Sequence, residues 1–256
     1  MLAQWQLGAL GALPALAAMA VFDRLDAKRP EPRATLRRVA LAGALSAIPV
    51  VAVGRLLAWA SPLSAEAGAG VLGAAYLAFV VVAIPEEAAK LLSMVLFAWR
   101  RPEFDERMDG IVYGARAGLG FALVENVTYL ALMPSGLRET VTLFLGRAIL
   151  AVPGHAIWGG IMGYYAARRR FDGVGPGMLG GLALAVVMHG TYDLLLFCAP
   201  IAVAAGYSWV GLGVAGVPLV AYAVPAAIIG GGAFALRGMA RAAIAADDRA
   251  LGDRGP

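Results

Sequence analysis

One cysteine and two histidines are all that this 256-residue chain brings to thiol and imidazole chemistry. The lone thiol, Cys198, excludes an internal disulfide, and its apolar surroundings make it a small hydrophobic residue. Charge is scarce too: Asp, Glu, Lys and Arg form 15% of the chain and hydrophobic residues 61%. A soluble domain carries about 25% charged residues and about 45–50% apolar ones, so a soluble globular protein is excluded. There is no HExxH spacing, so the zinc-peptidase helix signature is missing. No internal repeat and no linker divides the chain. The basic stretch that opens a signal peptide is also lacking before the first apolar run, 1–22, so a retained first span is expected.

What is present is a series of long apolar runs. With about 20 residues needed to cross a bilayer, seven spans are expected: 2–22, 36–60, 70–99, 109–133, 139–167, 176–199 and 207–236. Pro85 and Pro153 mark expected breaks in the third and fifth, which would make eight elements if either run divides. The fold class is all-α: a polytopic transmembrane helical bundle over 1–239, followed by a polar tail over 240–256 expected to be disordered.

Sixteen of the 21 basic residues fall in 23–38, 100–108, 168–175 and 237–256, all on one side of the proposed spans. By the positive-inside rule that side is cytoplasmic, which leaves the N-terminus outside and the tail inside. This distribution accounts for the net charge of +4 without nucleic acid as a partner.

Against this background the segment 84–94, IPEEAAKLLSM, stands out, because Glu86, Glu87 and Lys90 fall in the middle of a span. An ionised group near a bilayer centre costs about 2.5–3.5 kcal/mol on insertion scales. Other spans contribute Arg116, Glu125, Arg147, His155, His189 and Asp193, so both histidines lie inside the membrane. Counted from the cytoplasmic ends, Glu86, Glu125, His155, His189 and Asp193 share one slab about 8 Å thick. Single buried charges often act only as glue between helices, but four helices feeding one layer point to a site. At about 100° per residue, Lys90 projects between Glu86 and Glu87, and Asp193 stands one turn from His189, able to orient its imidazole. Pro153 and Gly154 loosen the helix before His155, while Gly159, Gly160 and Gly163 suit close helix contact. Such a wet cavity suits general acid–base chemistry. Ser93 has no nucleophile motif around it, and the sequon Asn126-Val127-Thr128 lies within a span. Metal ligation by these groups is conceivable but has no spacing signature.

Three motifs then line up in order: EExxK at Glu86–Lys90, FxxxE from Phe121 to Glu125, and HxxxD from His189 to Asp193. Together with DGIVYGARAGLGFALVEN and PGHAIWGGIMG, they make residues 70–197 resemble the PrsW family of intramembrane proteases, relatives of the CAAX prenyl endopeptidases. The resemblance implies a glutamate-dependent endopeptidase of a bacterial inner membrane, metal-independent and without a cofactor. Its substrate would be a membrane-anchored protein, such as a single-span anti-sigma factor whose site-1 cleavage releases a stress response. Glu86 or Glu87 would activate water, with Glu86 favoured and Glu87 in support. Glu125 would help polarise that water, and His189 would stabilise the oxyanion, kept protonated by Asp193. His155 is a further candidate, with Lys90, Phe121, Asn126 and Arg147 in support. Two rivals are a transporter or channel using the layer for proton or ion coupling, and an inactive scaffold. The absence of paired broken helices in two matching halves counts against the first, the intact motifs against the second.

Overall fold

A computed structural model describes residues 3–25, 28–65, 70–133, 136–213 and 218–252. The described residues form helices and no strand. In lipid every backbone polar group must be satisfied internally, and a helix does this within one segment. The long helices are α1 (Gln4–Leu25), α2 (Arg33–Trp59), α3 (Gly70–Trp99), α4 (Arg107–Leu132), α5 (Leu137–Asp172), α6 (Gly177–Ala204) and α7 (Leu219–Gly252). Six of them, all but α4, are long and apolar enough to cross a membrane. The protein is a polytopic all-α membrane bundle.

Helix α4 is the exception because it carries Arg107, Asp109, Arg116 and Glu125, and its position explains how it tolerates them. It packs against α1, α2 and α5, and every residue from Met108 to Ala122 is buried. Its N-terminus is capped by Asp109, whose Oδ2 accepts from the amides of Asp105 and Glu106 at 2.7 and 2.8 Å. Arg116 pairs with Asp23 at the end of α1. Helix α6 joins α5 to the middle of α3, and α7 covers α5 and α6.

The α4–α5 contact rests on glycines. A Cβ on Gly110, Gly114 or Gly118 would collide with the carbonyl of Gly163, Gly159 or His155 respectively. Small residues at four-residue spacing let two membrane helices approach backbone to backbone. Gly159 and Gly163 therefore serve packing, as expected; Gly160 instead lies against Leu236 of α7.

Two expectations need correction. Pro85 and Pro153 do not break their helices. Each follows a π-helical stretch, Tyr76–Ala83 and Arg147–Ala151, and sits in the first turn of the α-helix after it. The wider winding accommodates a residue that has no N–H and whose ring crowds the preceding turn. The tail, too, is helical from 240 to 252. Of the expected span 207–236, the described residues 207–213 hold a short 3-10 turn, Ser208–Gly211, and α7 starts at Leu219. Ala is the best helix former, and Ala243 and Asp247 are buried. Asp247 anchors this end: it pairs with Arg107 at 2.7 Å and accepts from the amides of Arg107 and Met108. Arg107 also donates to Asp172 of α5, and this bond, against desolvation and with help from Asp247, raises the guanidinium pKa.

Candidate active site

Four helices place their ionisable groups in one buried cluster. On α3, Glu87 and Lys90 have no exposed surface and Glu86 has 7%. The Lys90 ammonium donates to Glu87 Oε1 at 2.7 Å and to Glu86 Oε2 at 3.3 Å, so one cation serves two carboxylates a residue apart. It also lies 2.7 Å from His155 Nδ1 on α5 and 4.8 Å above the Phe121 ring of α4.

On α4, Glu125 Oε2 lies 2.8 Å from both Arg147 Nη2 and His155 Nε2. Arg147 Nε donates to Asn126 at 2.5 Å, and its guanidinium covers the Tyr129 ring at 4.2 Å. His189 of α6 has its Nδ1 2.8 Å from Glu87 Oε1 and its Nε2 3.3 Å from Asp193 Oδ2. Its ring is stacked on Trp158 with centroids 4.3 Å apart.

These distances define hydrogen-bond polarity. His155 faces an ammonium on Nδ1 and a carboxylate on Nε2, so Nδ1 accepts, Nε2 carries the proton and the ring is neutral. His189 faces carboxylates on both nitrogens and satisfies them only as an imidazolium.

Glu86, Glu125, Arg147, His155, His189 and Asp193 all line one cavity of about 240 Å³, whose wall also includes Trp158, Tyr129, Tyr192 and Tyr222. Glu87 and Lys90 stand behind it. One oxygen each of Glu86 and Glu125 and one nitrogen of His155 lie within 4.8 Å of one another. That separation is short enough for a single water to bridge them.

Comparison with known sequences now bears on this site. Residues 31–224 match the family model described as "PrsW family intramembrane metalloprotease". The chain belongs to the PrsW family. Relatives named Protease PrsW include one from Geobacillus kaustophilus, 32% identical over 70% of this chain and 74% of its own length. Those from Halalkalibacterium halodurans and Bacillus subtilis are 38% and 35% identical, over 46% and 48% of this chain. The chain spans about half the length of most of the PrsW relatives it matches, 54% and 56% for these two. No solved structure matches.

Every residue singled out in the three PrsW motifs reaches the cluster. His155 and Arg147, outside the motifs, reach it too. Arg116 and Ser93 do not: Arg116 pairs with Asp23, and Ser93 donates to the Ala89 carbonyl at 2.8 Å. Trp158 and Tyr192 were missed. The only available signal was Trp158 lying one turn after His155 on the same helix, which reads equally well as packing.

The family description names a metal, and the donor types of Glu86, Glu125 and His155 suit a divalent cation. Their arrangement does not. A metal-binding imidazole donates its other N–H to an acceptor, whereas Nδ1 of His155 meets the Lys90 ammonium, a donor. With Nδ1 accepting, Nε2 carries the ring proton, 2.8 Å from Glu125 Oε2, in place of the lone pair that a metal requires. With Lys90 and Arg147 as built-in cations, the residues as placed do not fit a metal.

Proposed function

We propose that this chain is an intramembrane endopeptidase in which Glu86 is the general base for water, acting on a membrane-anchored protein such as a single-span anti-sigma factor. The observation that carries the assignment is the contrast between the paired glutamates. Glu87 is committed to Lys90 and His189 and does not reach the cavity. Glu86 faces the cavity, and its one ion pair among the described residues, at 3.3 Å, is with an ammonium that Glu87 and His155 bind more closely.

In this reading a water held between Glu86 and Glu125 loses a proton to Glu86 as its oxygen bonds to the scissile carbonyl carbon. The carbonyl oxygen becomes an oxyanion. His189 meets it by releasing its longer contact, the 3.3 Å ion pair with Asp193, and turning Nε2–H toward it; Arg147 adds positive charge. Collapse then breaks the C–N bond, and the departing amine takes the proton from Glu86. Glu87 and Asp193 keep His189 charged and oriented, while Lys90 fixes the tautomer of His155.

The test is cleavage of a candidate membrane-anchored substrate by purified protein, comparing wild type with Glu86→Gln and His189→Ala. Losses of about 10²-fold or more are expected; full activity in both variants overturns the assignment. Phenanthroline or EDTA should leave the rate unchanged. Inactivation by chelator with recovery on adding zinc would replace this reading with the metal-dependent one that the family description implies.

A further inference from the structure

A second cavity lies on the far side of α5. At about 100° per residue, Pro153, Ala156 and Ile157 point away from the face that carries His155 and Trp158. They floor a groove of about 650 Å³ together with Met108 and Ile111 of α4. Val21 and Phe22 of α1 form one wall, and α7 forms the other from Ala233 to Ile244. These two walls hardly touch one another, although the loop after α1 is tied to α7 where Arg29 donates to Asp248 at 2.9 Å. The groove is thus closed at its arginine-rich end and flanked by two splayed helices above it.

Its lining is apolar except for Arg237 and Arg241, one turn apart on α7. Three arginines near this end are internally neutralised: Arg29 by Asp248, Arg107 by Asp172 and Asp247, and Arg116 by Asp23. Arg237 and Arg241 are exposed and have no carboxylate partner among the described residues.

Length and chemistry select the occupant. From Arg241 up to Ala233 the α7 wall rises about 12 Å, within one leaflet's share of a hydrocarbon core about 30 Å thick. The groove narrows the choice by its chemistry: an apolar floor and walls with two unneutralised arginines on one side. An acyl chain with an anionic headgroup suits both.

We propose that this groove binds one acyl chain of an anionic phospholipid, with the lipid phosphate held by Arg237 and Arg241. Guanidinium groups match phosphate oxygens in a two-pronged geometry, and their aliphatic stems can lie along the apolar wall while the charged ends reach the headgroup layer. The lipid would fill the space between α1 and α7 behind α5.

The full chain, reconstituted in phosphatidylcholine nanodiscs containing a little phosphatidylglycerol with a photoreactive acyl tail, tests this by mapping the labelled residues. Label is expected on Val21, Phe22 and Ile157. The double variant Arg237→Ala/Arg241→Ala should reduce it about tenfold to thirtyfold, as two basic residues near an anionic headgroup imply. Ala240→Phe, which fills the groove and keeps both arginines, should reduce it as well, with helicity and elution volume unchanged in both. Equal labelling by photoreactive phosphatidylcholine, or no effect of the arginine substitutions, identifies ordinary boundary lipid and overturns the proposal. Displacement of the label by a single-span peptide assigns the groove to a protein partner and overturns it too.

Discussion

Replacing Glu86 and Glu87 one at a time by Gln separates a reacting carboxylate from a supporting one. The cluster holds four carboxylates, Glu86, Glu87, Glu125 and Asp193, against Lys90, Arg147 and the His189 imidazolium, an excess of one negative charge. Glu86→Gln removes the least compensated of the four and strands nothing, because Lys90 keeps Glu87 at 2.7 Å. Stability should hold or rise, while cleavage falls about 10²- to 10⁴-fold with the loss of the general base. Glu87→Gln is a different perturbation. It withdraws the shared partner of Lys90 and His189, both buried, and breaking a buried pair from one side costs about 3–5 kcal/mol. At about 2–4 °C per kcal/mol for a chain of this size, its melting temperature should drop by about 6–20 °C. Tryptophan fluorescence during heating gives the midpoint in the same detergent used for the cleavage assay. An active Glu86→Gln, or a Glu86→Gln as unstable as Glu87→Gln, would refute the division of roles.

The glycine contact predicts that Gly118→Ala, whose new methyl meets the His155 carbonyl, lowers both activity and melting temperature. Gly230→Ala, with open space around its Cβ, should change neither, and the pair is read by the same two assays. Trp158→Ala empties the face on which His189 is stacked and should cost about 3–5 kcal/mol; Trp158→Phe keeps an aromatic face and should retain more activity than stability. Arg107→Ala leaves buried Asp247 without its cation, so the end of α7 should become sensitive to limited proteolysis while residues 70–199 stay protected.

The polar layer was legible because helix rise converts position in a span into depth, and five residues on four helices agreed. The Lys90–Glu87 and His189–Asp193 contacts were legible as well, since both are local to one helix. The pairing across helices was not. Lys90 reaching His155, Glu87 reaching His189 and Arg147 reaching Glu125 depend on helix spacing and rotation, which the apolar pattern leaves free. The continuation of α7 was hidden for a related reason. AADDRALG reads as a solvated tail until Arg107, 140 residues earlier, is seen to bind Asp247. The prolines misled because the usual consequence of proline, a broken helix, has an alternative in a π-helical turn.

Glycine, tautomer and reactive carboxylate form one chain of dependence. Gly110, Gly114 and Gly118 let α5 lie directly on α4, which brings His155 within reach of an ammonium rooted on α3. That ammonium makes Nδ1 an acceptor and so holds the His155 proton on Nε2, the nitrogen 2.8 Å from Glu125. Lys90 is then divided among Glu87, His155 and Glu86, and Glu86 receives the longest contact of the three. A base that must take a proton from water is better left under-neutralised than locked in a short ion pair, and close packing of two helices produces that imbalance here. Lys90→Met therefore makes a sharper probe of the cluster than any single acid. It should destabilise the fold by stranding Glu87, and it should also free His155 to move its proton to Nδ1. Only in that variant does the site acquire the hydrogen-bond polarity for a metal, so measurable zinc binding by Lys90→Met, and none by wild type, is the outcome this dependence requires.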